Sequence, residues 1–207
     1  MPESSSNGIC SYYVPIFQIG STRRGIKVVT VLLTERLQLR PYKQDEAHLL
    51  HSIIGDLRIV FWRNEPGSLE EAQQWLEKTS RIREETGMGV WGVFDRKTDD
   101  FLGQTILQPL PETGEPEIGY HFRVEAQGHG YATEAAKCLL HHGFAGLELP
   151  RIVAVVLPDN HPSQTVMKKL GLPYIRDLMK SDMLHNYFAL ERPAYLARWK
   201  QDQQQPA

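Results

Sequence analysis

The chain has 207 residues, 41% hydrophobic and 23% charged, which supplies a real core and excludes wholesale disorder. Its 25 acidic and 23 basic residues leave a formal charge of −2, without the basic excess that a nucleic-acid partner calls for. Two distant cysteines, Cys10 and Cys138, make no disulfide framework, and no apolar run approaches the roughly 20 residues that span a bilayer.

In chain order, residues 1–27 mix Ser, Gly and Pro with Tyr12, Tyr13 and Phe17 and show no period, which predicts an irregular arm. Arg23-Arg24 ahead of Val28–Leu33 is a poor secretory signal. It starts late, Lys27 interrupts the apolar part, and no small-residue cleavage site follows. A cytoplasmic protein without a membrane partner is expected. Leu37 and Leu39 alternate with polar residues and predict a strand stopped at Pro41. Leu49, Leu50, Ile53 and Ile54 share one face of a helix over 45–55. Ser68 and Glu71 form a capping box, opening a helix whose Ala72, Trp75, Leu76, Thr79 and Ile82 face the core. Strands follow over 89–95, 101–110 and 115–122. A helix is predicted over 130–147, carrying Cys138 as a small buried thiol. The nearly all-apolar run 151–157 reads as a strand buried on both faces, and 162–170 as a helix ended by Gly171. A hairpin over 174–179 and 184–191, a helical turn or two over 193–200, and a frayed tail over 201–207 complete the chain.

This order predicts one domain over 28–200. Its class is α+β, a mixed, mostly antiparallel sheet of about seven strands with about four helices.

The richest local signal is Gln127-Gly128-His129-Gly130-Tyr131-Ala132-Thr133-Glu134-Ala135, where a strand passes into a helix. Two glycines permit a tight bend and no proline removes an N–H. Successive amides can therefore point into one concavity at the positive end of a helix, which suits a phosphate. A dinucleotide fingerprint fails on spacing, because Ala132 comes one position too early, and the Gly-Lys-Ser/Thr of a Walker loop is absent. His48-x-x-His51 and His141-His142 lack the companions of a metal site, so no metal is expected.

The segment resembles the acyl-CoA pyrophosphate loop Q/R-x-x-G-x-G/A of the GNAT superfamily of N-acetyltransferases, met by Gln127, Gly130 and Ala132. Three further segments resemble its RimJ/RimL branch, which acetylates ribosomal proteins. They are Thr34-Glu35-Arg36-Leu37-Gln38-Leu39-Arg40-Pro41, Glu117-Ile118-Gly119-Tyr120, and Asn160-His161-Pro162-Ser163 with Lys169-Leu170-Gly171-Leu172. The resemblance spans residues 34–192 and implies a sheet splayed between its fourth and fifth strands, with acetyl-CoA as cosubstrate in the slot. It implies pantetheine contacts from the backbone of Phe122, Arg123 and Val124 and from Asn160. The pyrophosphate would meet Gln127, Gly128, His129, Gly130, Tyr131, Ala132 and Thr133.

Acyl transfer needs a neutral amine and a proton for the departing thiolate. Glu117 is the first candidate base, against the plain reading that Glu112, Glu115 and Glu117 are a solvated hairpin. His121 on the same face and Asp182 in the last hairpin are further candidates. The position at which many family members carry a tyrosine acid is Met167, and the resemblance gives Ser163 the place near the sulfur, where it could equally cap a helix. Sparse acid–base machinery favours an α-amine acceptor such as a peptide N-terminus. A small amino acid, antibiotic or polyamine, or a non-catalytic acyl-CoA-binding module, are the alternatives, in a monomer or homodimer.

Overall fold

A computed structural model describes residues 20–22, 25–27 and 30–204. The expected arm lies mostly outside these. Its end forms a hairpin of β1 (Gly20–Thr22) and β2 (Gly25–Lys27) rather than irregular chain.

The rest is one eight-stranded sheet with helices on both faces. Its elements are β3 (Leu32–Leu33), β4 (Leu37–Arg40), α1 (Ala47–Ile54), α2 (Leu69–Thr86), β5 (Gly89–Asp95), β6 (Phe101–Pro109) and β7 (Pro116–Phe122), then α3 (Tyr131–His141), β8 (Arg151–Val156), α4 (His161–Leu170), β9 (Tyr174–Lys180), β10 (Met183–Glu191) and α5 (Arg192–Gln204). Spatial order is β3-β4-β5-β6-β7-β8-β10-β9. All neighbours are antiparallel except β7 and β8, whose parallel pairing is confined to Glu117 opposite Val153. Beyond that pair the two strands part, so the expected splay is present.

Alternation along the strands builds two layers. Leu37, Leu39, Trp91, Val93, Leu107, Ile118 and Phe122 face α3, whose Ala135, Ala136, Leu139 and Leu140 close the main core. On the other face Phe94 and Phe101 pack with Ile53 of α1, and Leu50 and Ile54 meet Ala72 and Trp75 of α2. Trp75 is thus core material, and Cys138 is a buried thiol inside α3. The Ser68 capping box is formed in both directions, Glu71 N–H donating to Ser68 Oγ at 3.1 Å and Ser68 N–H to Glu71 Oε2 at 2.8 Å.

Two expectations change at the C-terminal side. The long helix over 130–147 is α-helical only to His141 and then widens into a π-helical turn, His142–Gly146. Of the expected tail, residues 201–204 continue α5 to Gln204, and 205–207 lie outside the described residues. Tyr195 stacks on Phe144 at 4.8 Å, Trp199 lies 4.3 Å from His141, and Arg198 Nη1 donates to the last carbonyl of α4, Leu170 O. Docking by tertiary contacts holds a helix whose polar sequence gives no amphipathic signal.

Candidate active site

The glycine loop is built as its sequence requires. A short 3-10 turn, Val124–Ala126, leaves β7, and Gly128 (φ 78°) and Gly130 (φ 81°) both adopt the left-handed conformation that glycine tolerates. Gly130 is the N-cap of α3 and lacks a capping side chain. The first amides of α3 have no intrahelical acceptor and point out of its positive end, beside the slot. A Cβ on Gly128 would meet nothing within 4 Å, whereas one on Gly130 would come within 3.5 Å of Arg36 Nη2. The loop fits an anionic phosphate. Gln127 ties it to the slot by donating from Nε2 to Phe122 O at 3.1 Å, and His129 stacks on Tyr131.

The opening strand explains what holds this loop. Glu134, in the first turn of α3, accepts from Thr34 Oγ1, from Arg36 N at 3.0 Å and from Arg36 Nε at 2.7 Å. Arg36 Nη1 also donates to His129 O at 3.0 Å, and its guanidinium lies over the Tyr131 ring. Thr34 and Arg36 of the first motif thus clamp the second motif. Arg40, four residues on, grips Glu46 through two hydrogen bonds of 2.7 and 2.8 Å.

Along β7 the exposed edge divides the expected pantetheine contacts. Arg123 N–H donates to Leu102 O at 2.9 Å, so its amide faces β6 and cannot serve the slot. By alternation the amides and carbonyls of Tyr120 and Phe122 point to the side that β8 has left. The expectation for Phe122 fits this edge. That for the Arg123 amide is corrected, since it is committed to β6; the edge that faces the slot is formed by Tyr120 and Phe122. Asn160 caps α4, its Oδ1 accepting from Ser163 N–H at 3.1 Å.

Side chains meet the slot from both faces. On the α1 side Glu117 stands at the last residue pair before the strands part, and Lys180 Nζ of β9 donates to its two oxygens at 3.0 and 3.2 Å. The Glu117 side chain is 13% exposed and that of Lys180 25%, which rules out the solvated-hairpin reading for Glu117. Burial raises the Glu117 carboxyl above its ordinary value, against the opposing pull of Lys180. Glu115 is engaged elsewhere, by Tyr187 and Arg151.

His121 is not a base for neutral pH. Burial, with Lys180 adding to it, pushes its pKa down to about 4. Tyr42 donates to Gln104 Oε1 at 3.2 Å, so the Gln104 amide turns its NH2 to His121 Nδ1 at 3.1 Å and leaves the ring proton on Nε2. His121 is a neutral hydrogen-bond donor with the Trp62 ring 5.2 Å away. Asp182 lies at the exposed tip of the β9–β10 turn, at φ 61°.

On the α3 side the structure adds a group that motif reading passed over. Tyr120 points toward the helices, and its buried hydroxyl has no hydrogen bond of good geometry. The Ser163 hydroxyl lies close enough to act on its ionisation, and burial pushes that pKa up to about 12. Tyr120 alternates with Glu117 along β7, which was the available signal. Met167 is buried in the main core and cannot act on a sulfur.

A splayed β7/β8 slot with an anion-binding helix end on one side and a carboxylate at its vertex is the architecture of an acyl-CoA transferase. Residues 36–173 match the acetyltransferase (GNAT) domain, and the chain belongs to that family, which transfers acetyl from acetyl-CoA to an amine. It is similar to YkkB of Bacillus subtilis, 29% identical over 154 residues (73% of this chain, 90% of YkkB). It is also similar to the N-acetyltransferase YnaD of that organism, 30% identical over 142 residues (68% and 81%). Its fold superposes on the ribosomal-protein-S5-alanine acetyltransferase of Vibrio fischeri with a TM-score of 0.67 at 19% identity (80% and 98%). Among the described residues no helix is long and apolar enough to cross a membrane.

Proposed function

We propose that the chain acetylates α-amines, with Glu117 as the base on the acceptor side and Ser163 beside the leaving sulfur. The observation that carries this reading is the place of Glu117. Its carboxylate stands at the vertex of the slot, and the face it shares with His121 is flanked by the half-exposed Trp62. Pantetheine paired along the Tyr120–Phe122 edge would bring a thioester toward that vertex.

The chemistry balances with these groups. The acceptor ammonium gives one proton to Glu117, and the nitrogen attacks the thioester carbonyl. The N–C bond forms, the C–S bond breaks, and the second nitrogen proton ends on the sulfur. Amide and thiol result, and Glu117 passes its proton to solvent. Ser163 donates a hydrogen bond to the developing thiolate. Tyr120, protonated throughout the neutral range, acts through Ser163 as a positioning residue.

An α-amine has a pKa near 8 and is about a tenth neutral at pH 7, whereas a lysine near 10.4 is neutral to only a few parts in ten thousand. A single carboxylate shared with Lys180 suits the former. The likeness to the S5-alanine enzyme points the same way, by analogy of fold. With this reading we place the chain in the RimJ/RimL-like branch and in the cytoplasm. The test compares two peptides by mass spectrometry, one with a free N-terminus and blocked lysines, the other reversed. Faster labelling of the first is expected. Faster labelling of the second overturns the reading.

A further inference from the structure

The ion pair at the vertex bears on which amine the slot accepts. Lys180 donates to both Glu117 oxygens, so the base is held by a cation already inside the acceptor site. An incoming ammonium meets Lys180 as a like charge competing for the same carboxylate. Drawing Lys180 away leaves its charge in a largely enclosed place, where the neighbouring His121 ring is neutral and offers no counter-charge. Glu112 acts on Glu117 from a distance but is exposed in the β6–β7 loop, and His185, which also faces Glu117, is buried with Nδ1 3.0 Å from Met183 O. An acceptor with only a positive charge therefore breaks the pair without replacing it. One that carries both charges supplies each half with a new partner. Lys180 lies at the end of the edge strand β9 on a four-carbon stem, so it can swing with its new partner while the sheet stays fixed.

We propose that Lys180 is the acceptor's anion receptor, and that the preferred acceptor is a free α-amino acid whose carboxylate takes Lys180 from Glu117 while its amine takes the place of Lys180. This rests on the α-amine reading and narrows it. The exchange frees the base only when an acceptor with an adjacent anion arrives, which makes Lys180 a specificity-determining residue.

The experiment measures kcat/KM, per neutral amine, for a panel of free amino acids, their carboxamides and one N-terminally free peptide. The wild-type enzyme is expected to favour acids over carboxamides by about tenfold, mostly through KM, the effect of one partly buried charge pair. The ratio falls to near one in Lys180→Met and survives in Lys180→Arg. If Lys180→Met does not fold, Lys180→Gln and the wild-type ratio decide. Carboxamides or the peptide matching the acids in wild type, or a ratio unchanged without Lys180, overturn the inference and leave the α-amine reading intact. No transfer to any of these amines overturns both.

Discussion

Replacing Glu134 by alanine removes the hub through which the opening strand holds the phosphate loop. That carboxylate accepts from Thr34 Oγ1, Arg36 N and Arg36 Nε, and it is paired with Arg36 Nη2 at 2.6 Å. Arg36 is 45% exposed and Glu134 14%, so the pair belongs between two regimes. Exposed pairs contribute at most ~1 kcal/mol, and breaking a buried one costs at least ~3 kcal/mol. A loss of about 2 kcal/mol follows, or a fall in Tm of about 6 °C for a domain of this size. Because Glu134 lies one residue past the loop, the dissociation constant for acetyl-CoA is expected to rise several-fold in the same variant. The assay is a urea-denaturation cycle of Glu134→Ala, Arg36→Ala and the double variant. A coupling of about 1 kcal/mol is expected for neighbours in one network. Strict additivity, with acetyl-CoA affinity unchanged, would refute the clamp.

Glu117→Gln lowers turnover and abolishes the acid limb of its pH profile, a limb that in wild type lies above the ordinary carboxylate pKa of about 4.3, since burial raises this group. The same shift has a stability signature. The folded state binds the extra proton, so stability falls as pH rises between the unfolded and the raised folded pKa, and chemical denaturation of the Gln variant loses that slope. Gly130→Val weakens acetyl-CoA binding at least about tenfold by calorimetry, because a β-branched residue is strained at φ 81° in the turn that presents the helix end to the phosphate. Gly128→Ala, with open space around its Cβ, costs only the backbone strain of about 1–2 kcal/mol. Tyr120→Phe removes a buried hydroxyl without a good partner, so stability holds or rises while kcat falls and acetyl-CoA affinity is unchanged; a stability loss above about 1 kcal/mol contradicts the assignment.

Signals carried by neighbours in sequence were legible. Ser68 and Glu71 are three residues apart, and the strand 89–95 and the helix ended by Gly171 follow from local period and glycine geometry. The loop from Gln127 to Thr133 was readable for the same reason, since two glycines and a helix start lie in one segment. What escaped depends on distant partners. Glu134 meets Thr34 and Arg36 about a hundred positions away, and Lys180 meets Glu117 across 63. Neither pairing leaves a mark on the local pattern. Tyr120 was visible in a quoted motif, but only its burial beside Ser163 sets it apart from an ordinary strand tyrosine. The two residues of β3 are too few to show alternation, and α5 is held by Tyr195 and Trp199 rather than by an apolar stripe.

Lys180 and Glu117 belong to parts of the sheet under unequal constraint. Glu117 stands on a central strand wedged between two neighbours, in a segment whose every second side chain builds the main core. Lys180 ends the outermost strand, one step before a two-residue turn, with five of the seven residues of β9 exposed. A change along β9 disturbs little of the packing, while a change near Glu117 falls on a strand that builds the main core. Substitutions along β9 can therefore change what faces Glu117 while the strand that carries Glu117, and the core built on it, stay as they are.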